Sequence, residues 1–374
     1  MEIGVIGNYG ATNIGDDAIL AAILKNLSGH KITVFSSDPQ GTNRQFGVKS
    51  VPLFPLGIRS CFKYGFHNSI KALKDVDVVI FGGGGLFQDN YLYACFLWAW
   101  QIFWVRFLNK PLFIYGTGVG PLKSWLGKRL TKWAYSQADF ITVRDHFSYD
   151  LLKKILSFRV SPAKRDESRN EQNICTTADP AFVYRTPEII KDRTKNLFII
   201  SLRPWLQYNS KIISVFTSFL EKLKAEKNAD FIFTCMQQIK EHDHRIIDPV
   251  LKKVGGELYI PKHFSDLLQV MQAAEFAIGM RYHFLIAALL TKTPVIPISY
   301  SPKVDELFKK TSLEPYLIPV RELSVENLEQ HLKRLSVDYN NVKIFEKTRL
   351  RQLQEAAQKN VDLFDEFIKS FDQN

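Results

Sequence analysis

The chain has 374 residues, with 49 Lys and Arg against 38 Asp and Glu, a formal charge of +11. Hydrophobic residues make up 46% and aromatics 13%, enough apolar material for large cores, which excludes an intrinsically disordered chain. The length predicts two domains, because single cores stop growing at ~250–300 residues, and four scattered cysteines without a C-x-x-C pair predict neither a disulfide framework nor a zinc site.

Glu2–Ile6 opens the chain as an apolar strand with no basic, apolar leader before it, so a cytoplasmic location is expected. A helix is predicted over Asp16–Leu27, where Ala18, Ile19, Ala22, Ile23 and Leu27 share one face. Strands are predicted at Lys31–Phe35, Val76–Phe81, Pro111–Tyr115 and Phe140–Val143, and helices at Asn90–Phe107, Ser124–Ser136 and Ser148–Leu156. Continuous Val, Ile and Phe runs mark strands buried on both faces, as parallel strands are, and the alternation is a βαβ series. The aromatic run Tyr91–Val105 is broken by Gln101 and is shorter than the ~20 apolar residues of a spanning helix. A buried or interfacial helix is expected there. The polar stretch Arg159–Asn173 reads as an exposed loop, and Thr186–Asn196 as a domain boundary.

The second half repeats the pattern. Strands are predicted at Leu197–Ser201, Asp230–Cys235, Glu257–Ile260, Phe276–Ile278 and Pro294–Ile298. Helices are predicted at Ser210–Lys224, His242–Lys253, Phe264–Ala274, Tyr282–Leu290 and Val304–Lys310, with a long amphipathic tail over Asn340–Asp372. The expected class is α/β: two Rossmann-like domains, residues 1–190 and 191–338, facing a cleft in the manner of GT-B enzymes. A C-terminal helix over 339–374 is expected to pack back on the first domain.

Four glycine-rich or basic segments fall at strand ends. Gly7-Asn8-Tyr9-Gly10-Ala11-Thr12-Asn13-Ile14-Gly15-Asp16-Asp17 follows the first strand. Its spacing is not G-x-G-x-x-G, so a nicotinamide site with Asp38 as ribose partner is not expected. Asp16 and Asp17 suit a helix start. Gly82-Gly83-Gly84-Gly85 follows a buried strand, where such a run suggests a close approach to the backbone. Gly116-Thr117-Gly118-Val119-Gly120-Pro121 follows the next. Gly279-Met280-Arg281-Tyr282-His283 puts a guanidinium and an imidazole two residues apart at the start of an apolar helix. Arg144, Arg203 and Lys303 also stand just after predicted strands, which suggests convergence on a small, multiply charged anion. Asp75-Val76-Asp77 precedes a buried strand and is not expected to hold a metal; no serine, cysteine or Walker signature is present.

These segments together resemble the polysaccharide pyruvyl transferase family. The matching stretches are GNYGATNIGDDAIL (7–20), FGGGGLFQD (81–89), YGTGVGPL (115–122), VRDHFSYDLL (143–152), ADPAF (178–182), SLRPW (201–205) and GMRYHFLIAALLTKTPVIPISYSPKV (279–304), in the family's order. The resemblance implies transfer of the pyruvyl group of phosphoenolpyruvate onto two hydroxyls of a sugar, giving a cyclic ketal and phosphate. It implies His283 as catalytic acid, with Arg144, Arg281 and Lys303 as donor ligands and Arg203 beside them. Gly82, Gly83, Gly84, Gly85, Asn13 and Asp16 are the further expected binding residues. No metal and no cofactor are expected, since phosphoenolpyruvate is a co-substrate. The implied acceptor is a saccharide on a lipid or nucleotide diphosphate. The runner-up is a GT-B glycosyltransferase using a nucleotide sugar; a silent sugar- or nucleic-acid-binding protein is the third reading. Nucleic acid is not an expected partner, because the charge accompanies no recognisable binding module.

Between Pro121 and Asn170, 11 Lys and Arg stand against 5 Asp and Glu. Within this stretch Lys123, Lys128, Arg129 and Lys132 flank Trp125, Leu126, Leu130 and Trp133 at helical spacing. A basic amphipathic helix of this kind suits a peripheral position on an anionic membrane surface. Core packing with a solvated basic edge is its equal rival.

Overall fold

A computed structural model describes residues 1–56, 65–89, 92–157, 174–184, 193–237, 242–309, 311 and 313–372. The predicted loop Arg159–Asn173 and most of the predicted boundary Thr186–Asn196 lie outside the described residues. The chain forms two compact units. One holds Met1–Ala11, Ile19–Val183 and Gln354–Asn374; the other holds Thr12–Ala18 and Tyr184–Leu353.

In the first unit, β1 (Glu2–Ile6), β2 (Lys31–Ser36), β3 (Lys49–Pro52), β4 (Val78–Gly82), β5 (Leu112–Thr117), β6 (Phe140–Val143) and β7 (Ile174–Thr176) form one seven-stranded sheet. All its pairings are parallel, in the order β3-β2-β1-β4-β5-β6-β7. Between the strands run α1 (Ile14–Asn26), α2 (Pro39–Phe46), α3 (Phe66–Asp75), α4 (Leu92–Phe107), α5 (Trp125–Ser136) and α6 (His146–Ser157). The first turn of α1 belongs by its contacts to the second unit. Both flanks of the sheet are covered, which is why β4 and β5 are buried at every position. Gln101, the polar break in the aromatic run, is fully buried in α4. Its amide accepts from Phe54 N and donates to Phe54 O, both at 2.8 Å, so an irregular segment is satisfied from inside the core.

The second unit contains β8 (Thr194–Ser201), α7 (Asn209–Lys227), β9 (Asp230–Thr234), α8 (His244–Val254), β10 (Glu257–Tyr259), α9 (Phe264–Ala273), β11 (Ala274–Gly279), α10 (Tyr282–Thr291), β12 (Val295–Ser299), α11 (Pro302–Phe308) and β13 (Ile318–Pro319). Its six strands are again parallel, in the order β10-β9-β8-β11-β12-β13. The chain ends in α12 (Val325–Asp372).

The fold is thus α/β with two Rossmann-like halves and a long terminal helix. The helix starts at Val325 rather than at Asn340. Leu328, Leu332 and Leu335 are buried along its first turns, and the Ser324 hydroxyl accepts from Asn327 N at 3.1 Å. Apolar spacing and a capping serine therefore start it well before the predicted Asn340. The helices α2 and α3 and the short strands β3, β7 and β13 were not foreseen. Helix α2 buries only Thr42 and has no apolar period; it is set instead by Pro39 in its first turn and by Asp38, whose carboxylate accepts from Gly41 N at 3.0 Å. Asp38 is therefore a cap. Asp77 accepts from Glu2 N at 2.8 Å, a tie between β1 and the start of β4.

In each sheet the strand order reverses once, between β1 and β4 and between β8 and β11. Ligands of doubly wound sheets bind beyond the carboxyl ends of the strands at that point. Ile6 pairs with Phe81 and Ser201 with Gly279, so the segments after these strands emerge side by side. Among the described residues no helix is long and apolar enough to cross a membrane.

Candidate functional site

In the second unit, β8, β11 and β12 deliver Arg203, Arg281 and Lys303 to neighbouring strand ends. Arg203 and Lys303 lie against one ring, that of Tyr300, which follows β12, and the charge of Arg281 acts on it as well. Arg203 Nη1 donates to the Tyr300 hydroxyl at 2.9 Å, and its guanidinium carbon lies 4.6 Å from the ring centroid. Lys303 Nζ lies 5.7 Å from the same centroid. Trp205 packs on Tyr300 at 4.8 Å and carries Arg203 over its own face at 5.5 Å. Burial raises the phenol pKa, but the charges of Lys303, Arg203 and Arg281 outweigh it and bring Tyr300 down to about 7. Two buried donors here, Arg203 Nε and Ser301 Oγ, have no hydrogen-bond partner among the described residues. Buried polar atoms are nearly always paired, so such atoms call for an acceptor oxygen.

Arg281 is held from behind. Its Nε donates to both oxygens of Asp243, at 3.2 and 3.1 Å, and its Nη2 to Gln237 Oε1 at 3.3 Å. The Asp243 carboxylate is fully buried. Burial alone would raise its pKa; hydrogen bonds from His242 and Arg281 and the charge of Arg203 bring it below the ordinary carboxylate value. Cys235 lies close by. Burial, with the charges of Asp243 and Asp248, pushes its thiol up to about 12, which suits packing and not nucleophilic chemistry.

His283 is the second residue of α10, a helix buried along its whole length. Against it runs the segment Thr12–Ala18. A Cβ on Gly15 would land inside the His283 imidazole, so only glycine admits this approach. Asn13 caps α1: its Oδ1 accepts from Gly15 N at 3.1 Å and its Nδ2 donates to Asp16 Oδ2 at 2.8 Å. Asn13 also bridges to Gln237, the residue that receives Arg281. Asn13, Asp16, Arg203, Arg281, His283 and Lys303 all belong to this unit.

Arg144 and Gly82–Gly85 belong to the first unit. Arg144 follows β6, its side chain is 2% exposed, and Nη1 donates to the fully buried Asp179 at 2.8 Å. Asp145 stands 3.5 Å from Nε. A Cβ at Gly118 would lie 2.6 Å from the guanidinium, so the glycine is what lets Arg144 lie flat on the β5 turn. The four glycines after β4 divide. Gly82 has φ +152° with a Cβ position 2.5 Å from Tyr115 O, and Gly83 has φ +81° with Ile19 pressed against it. Their polar groups are used internally: Tyr9 OH donates to Gly82 O at 2.5 Å, and Gly83 N donates to Tyr115 O at 3.0 Å. Gly85 has room, with Arg144 Nη2 at 3.7 Å from its Cβ position.

Sequence reasoning missed Tyr300, Trp205, Asp243 and Gln237. Tyr300 and Trp205 carried a signal, since each sits two or three residues from an expected cation at a strand end. Asp243 and Gln237 had none, because they reach Arg281 only through the fold.

The comparisons with known proteins agree on the fold. HepE of Anabaena, solved with UDP and glucose, is 12% identical over 100% of both chains, with a TM-score of 0.61. The UDP-GlcNAc 2-epimerase of Neisseria meningitidis, solved with UDP-GlcNAc, is 12% identical over 98% of this chain and 100% of its own, with a TM-score of 0.59. S. aureus MnaA, solved with UDP, is 14% identical over 99% and 96%, with a TM-score of 0.61. At such identities the likeness concerns architecture, which these GT-B-like proteins share. The sequence profile of one family spans residues 13–302, from the Asn13 cap to the residue before Lys303, and on that match the chain belongs to the polysaccharide pyruvyl transferase family.

Proposed function

We propose that this protein transfers the pyruvyl group of phosphoenolpyruvate to two hydroxyls of a saccharide and releases phosphate. The observation that carries the reading is the pair of cations Arg203 and Lys303 on Tyr300, with Arg281 at the adjoining strand end, in a chain of this family. The donor carries a carboxylate and a phosphate, and guanidinium forks with a lysine suit both. Arg203 Nε and Ser301 Oγ supply further donors for its oxygens.

The steps assign a proton to every group. His283 gives a proton to the methylene carbon of the donor, and the neighbouring carbon becomes oxocarbenium-like. A first sugar hydroxyl adds to that carbon, and its proton reloads His283. The carbon–oxygen bond to phosphate then breaks, with the electron pair leaving on phosphate. The second hydroxyl adds, and its proton leaves with phosphate. The cations hold the developing charge through the sequence, so in this reading neither metal nor cofactor takes part. Asn13 and Asp16 serve the acceptor. The nucleotide-sugar ligands of HepE and the epimerases favour an acceptor linked to a diphosphate, on a nucleotide or a lipid. Reaction in the cytoplasm, on a precursor of a cell-surface polysaccharide, follows from this reading.

The same fold likeness favours one second reading, a glycosyltransferase with a nucleotide-sugar donor. Thermal unfolding with phosphoenolpyruvate and with a UDP-sugar, each alone, separates the two. A ligand at 100 times its Kd adds about 2.7 kcal/mol. A shift with phosphoenolpyruvate that is absent in Arg281→Ala supports pyruvyl transfer. A shift with the UDP-sugar and none with phosphoenolpyruvate, accompanied by nucleoside diphosphate release, replaces it.

A further inference from the structure

Helices α4 and α5 follow β4 and β5, which lie side by side in a parallel sheet, so right-handed crossovers put both on the same flank, where they pack together. Their outer side is unusual. Among the described residues, six of the eleven exposed large hydrophobic side chains lie on these two helices. On α4 they are Tyr93, Phe96, Phe103 and Phe107, whose spacing keeps them on one helical face, and Tyr93 and Phe107 are 65% and 63% exposed. Trp100, half-buried, stacks on Phe103 at 5.4 Å, and Phe103 on Phe107 at 5.8 Å, so the rings form a continuous stripe. On α5, Trp125 is 69% exposed and Trp133 37%.

The charge around the stripe has one sign. Between Asp89 and Asp139 the sequence holds six Lys and Arg and no Asp or Glu. The two flanking carboxylates are spent locally: Asp89 accepts from Lys123 N and Ser124 N, and Asp139 pairs with Arg106 at 2.9 Å. Lys123, Lys128 and Arg129 are exposed, and the Arg129 guanidinium lies 5.2 Å from the Trp125 ring. Aromatic rings beside cations suit the headgroup layer of a bilayer, where ring bodies meet acyl chains and cations meet phosphates.

We propose that the outer face of α4 and α5 docks the protein on an anionic lipid bilayer, with the aromatic stripe at headgroup depth and the α5 cations on lipid phosphates. A second copy of the chain fits this face poorly. A two-fold contact sets a patch against itself, and the segment between Asp89 and Asp139 would bring its cations onto their own copies with no carboxylate of its own. The inference is independent of the donor and the reaction.

Flotation of the full chain with vesicles tests it, without any substrate. One set is phosphatidylcholine alone; the other is equal parts phosphatidylcholine and phosphatidylglycerol. The expected result is flotation with the anionic set alone, released by high salt, since exposed charge is screened within ~10 Å at 0.1 M. Each surface cation contributes about fivefold in partitioning, so Lys128→Glu with Arg129→Glu lowers binding by more than tenfold. Phe107→Ser with Trp125→Ser lowers it too, even at low salt, while thermal unfolding stays that of the wild type. Wild-type protein that remains unbound with the anionic vesicles overturns the proposal. So does a dimer in sedimentation that Trp125→Ser converts to monomer, because the face would then belong to a second copy.

Discussion

Arg203 engages Tyr300 twice, donating to its hydroxyl at 2.9 Å while its guanidinium lies 4.6 Å from the ring centroid. With Lys303 and Arg281 nearby, the ring is set among cations that favour its ionised form. The phenol is brought from 10.0 to about 7 against the effect of burial. A depressed pKa on an acid adds stability that is complete above the unfolded value and is lost as pH falls through the folded one.

Tyr300→Phe therefore loses stability relative to the wild type most strongly in alkaline solution. The gap between the two widens as pH rises from about 7 toward 10. The wild type gains a tyrosinate absorbance step near pH 7 that the variant lacks. Equal near-ultraviolet titrations of the two proteins would remove the cation-cluster account.

His283→Ala should keep the fold and lower phosphate release by about 10²–10⁴-fold, the usual worth of a general acid. Phosphate release from phosphoenolpyruvate in the presence of acceptor reads it. Wild-type turnover in this variant would take the acid role from His283.

Gly15→Ala places a methyl group in the His283 ring and should cost about 1–3 kcal/mol, with lower turnover. Adding His283→Ala opens the space the methyl needs, so the double variant should regain stability over Gly15→Ala alone. Denaturant midpoints of the four proteins give the coupling. Additive losses would mean that the glycine serves something other than the histidine.

The two buried arginine–aspartate pairs predict matching losses. Asp179→Ala and Asp243→Ala each remove the fully buried counter-charge of a guanidinium and should cost about 3–5 kcal/mol. Because the Asp243 pKa is lowered, its contribution is present above the ordinary carboxylate range and fades as pH falls through its depressed value. The gap between wild type and Asp243→Asn should therefore close in acid. A gap that stays constant with pH would mean that the carboxylate charge is not what stabilises the pair.

The fold was legible because parallel strands buried on both faces leave unbroken runs such as Val-Val-Ile-Phe at 78–81, and strand ends mark where functional groups emerge. Arg144, Arg203, Arg281 and Lys303 were found that way, and each does follow a strand. What escaped were elements held by polar ties. Helix α2 rests on the Asp38 cap and has no apolar stripe to betray it. The Asp243 partner of Arg281 lies 38 positions away and has no local pattern. The glycine run after β4 was read as space for a ligand, yet Gly82 and Gly83 are committed to Tyr9, Ile19 and Tyr115.

The last turns of α12 complete the core of the first unit. Phe364 is fully buried and meets Phe113 of β5 edge-on at 5.3 Å, and Asn360 accepts from the Thr177 hydroxyl at 2.8 Å and donates to Ala178 O at 3.0 Å. These residues follow the whole of Tyr184–Leu353 in the chain. A ribosome adding ~5–20 residues per second makes that intervening segment in roughly 10–35 s. During that time β5 waits with its Phe113 side uncovered. The first unit is begun first and closed last, so the nascent chain carries the apolar Phe113 side of β5 without its α12 cover until the last turns of that helix are made.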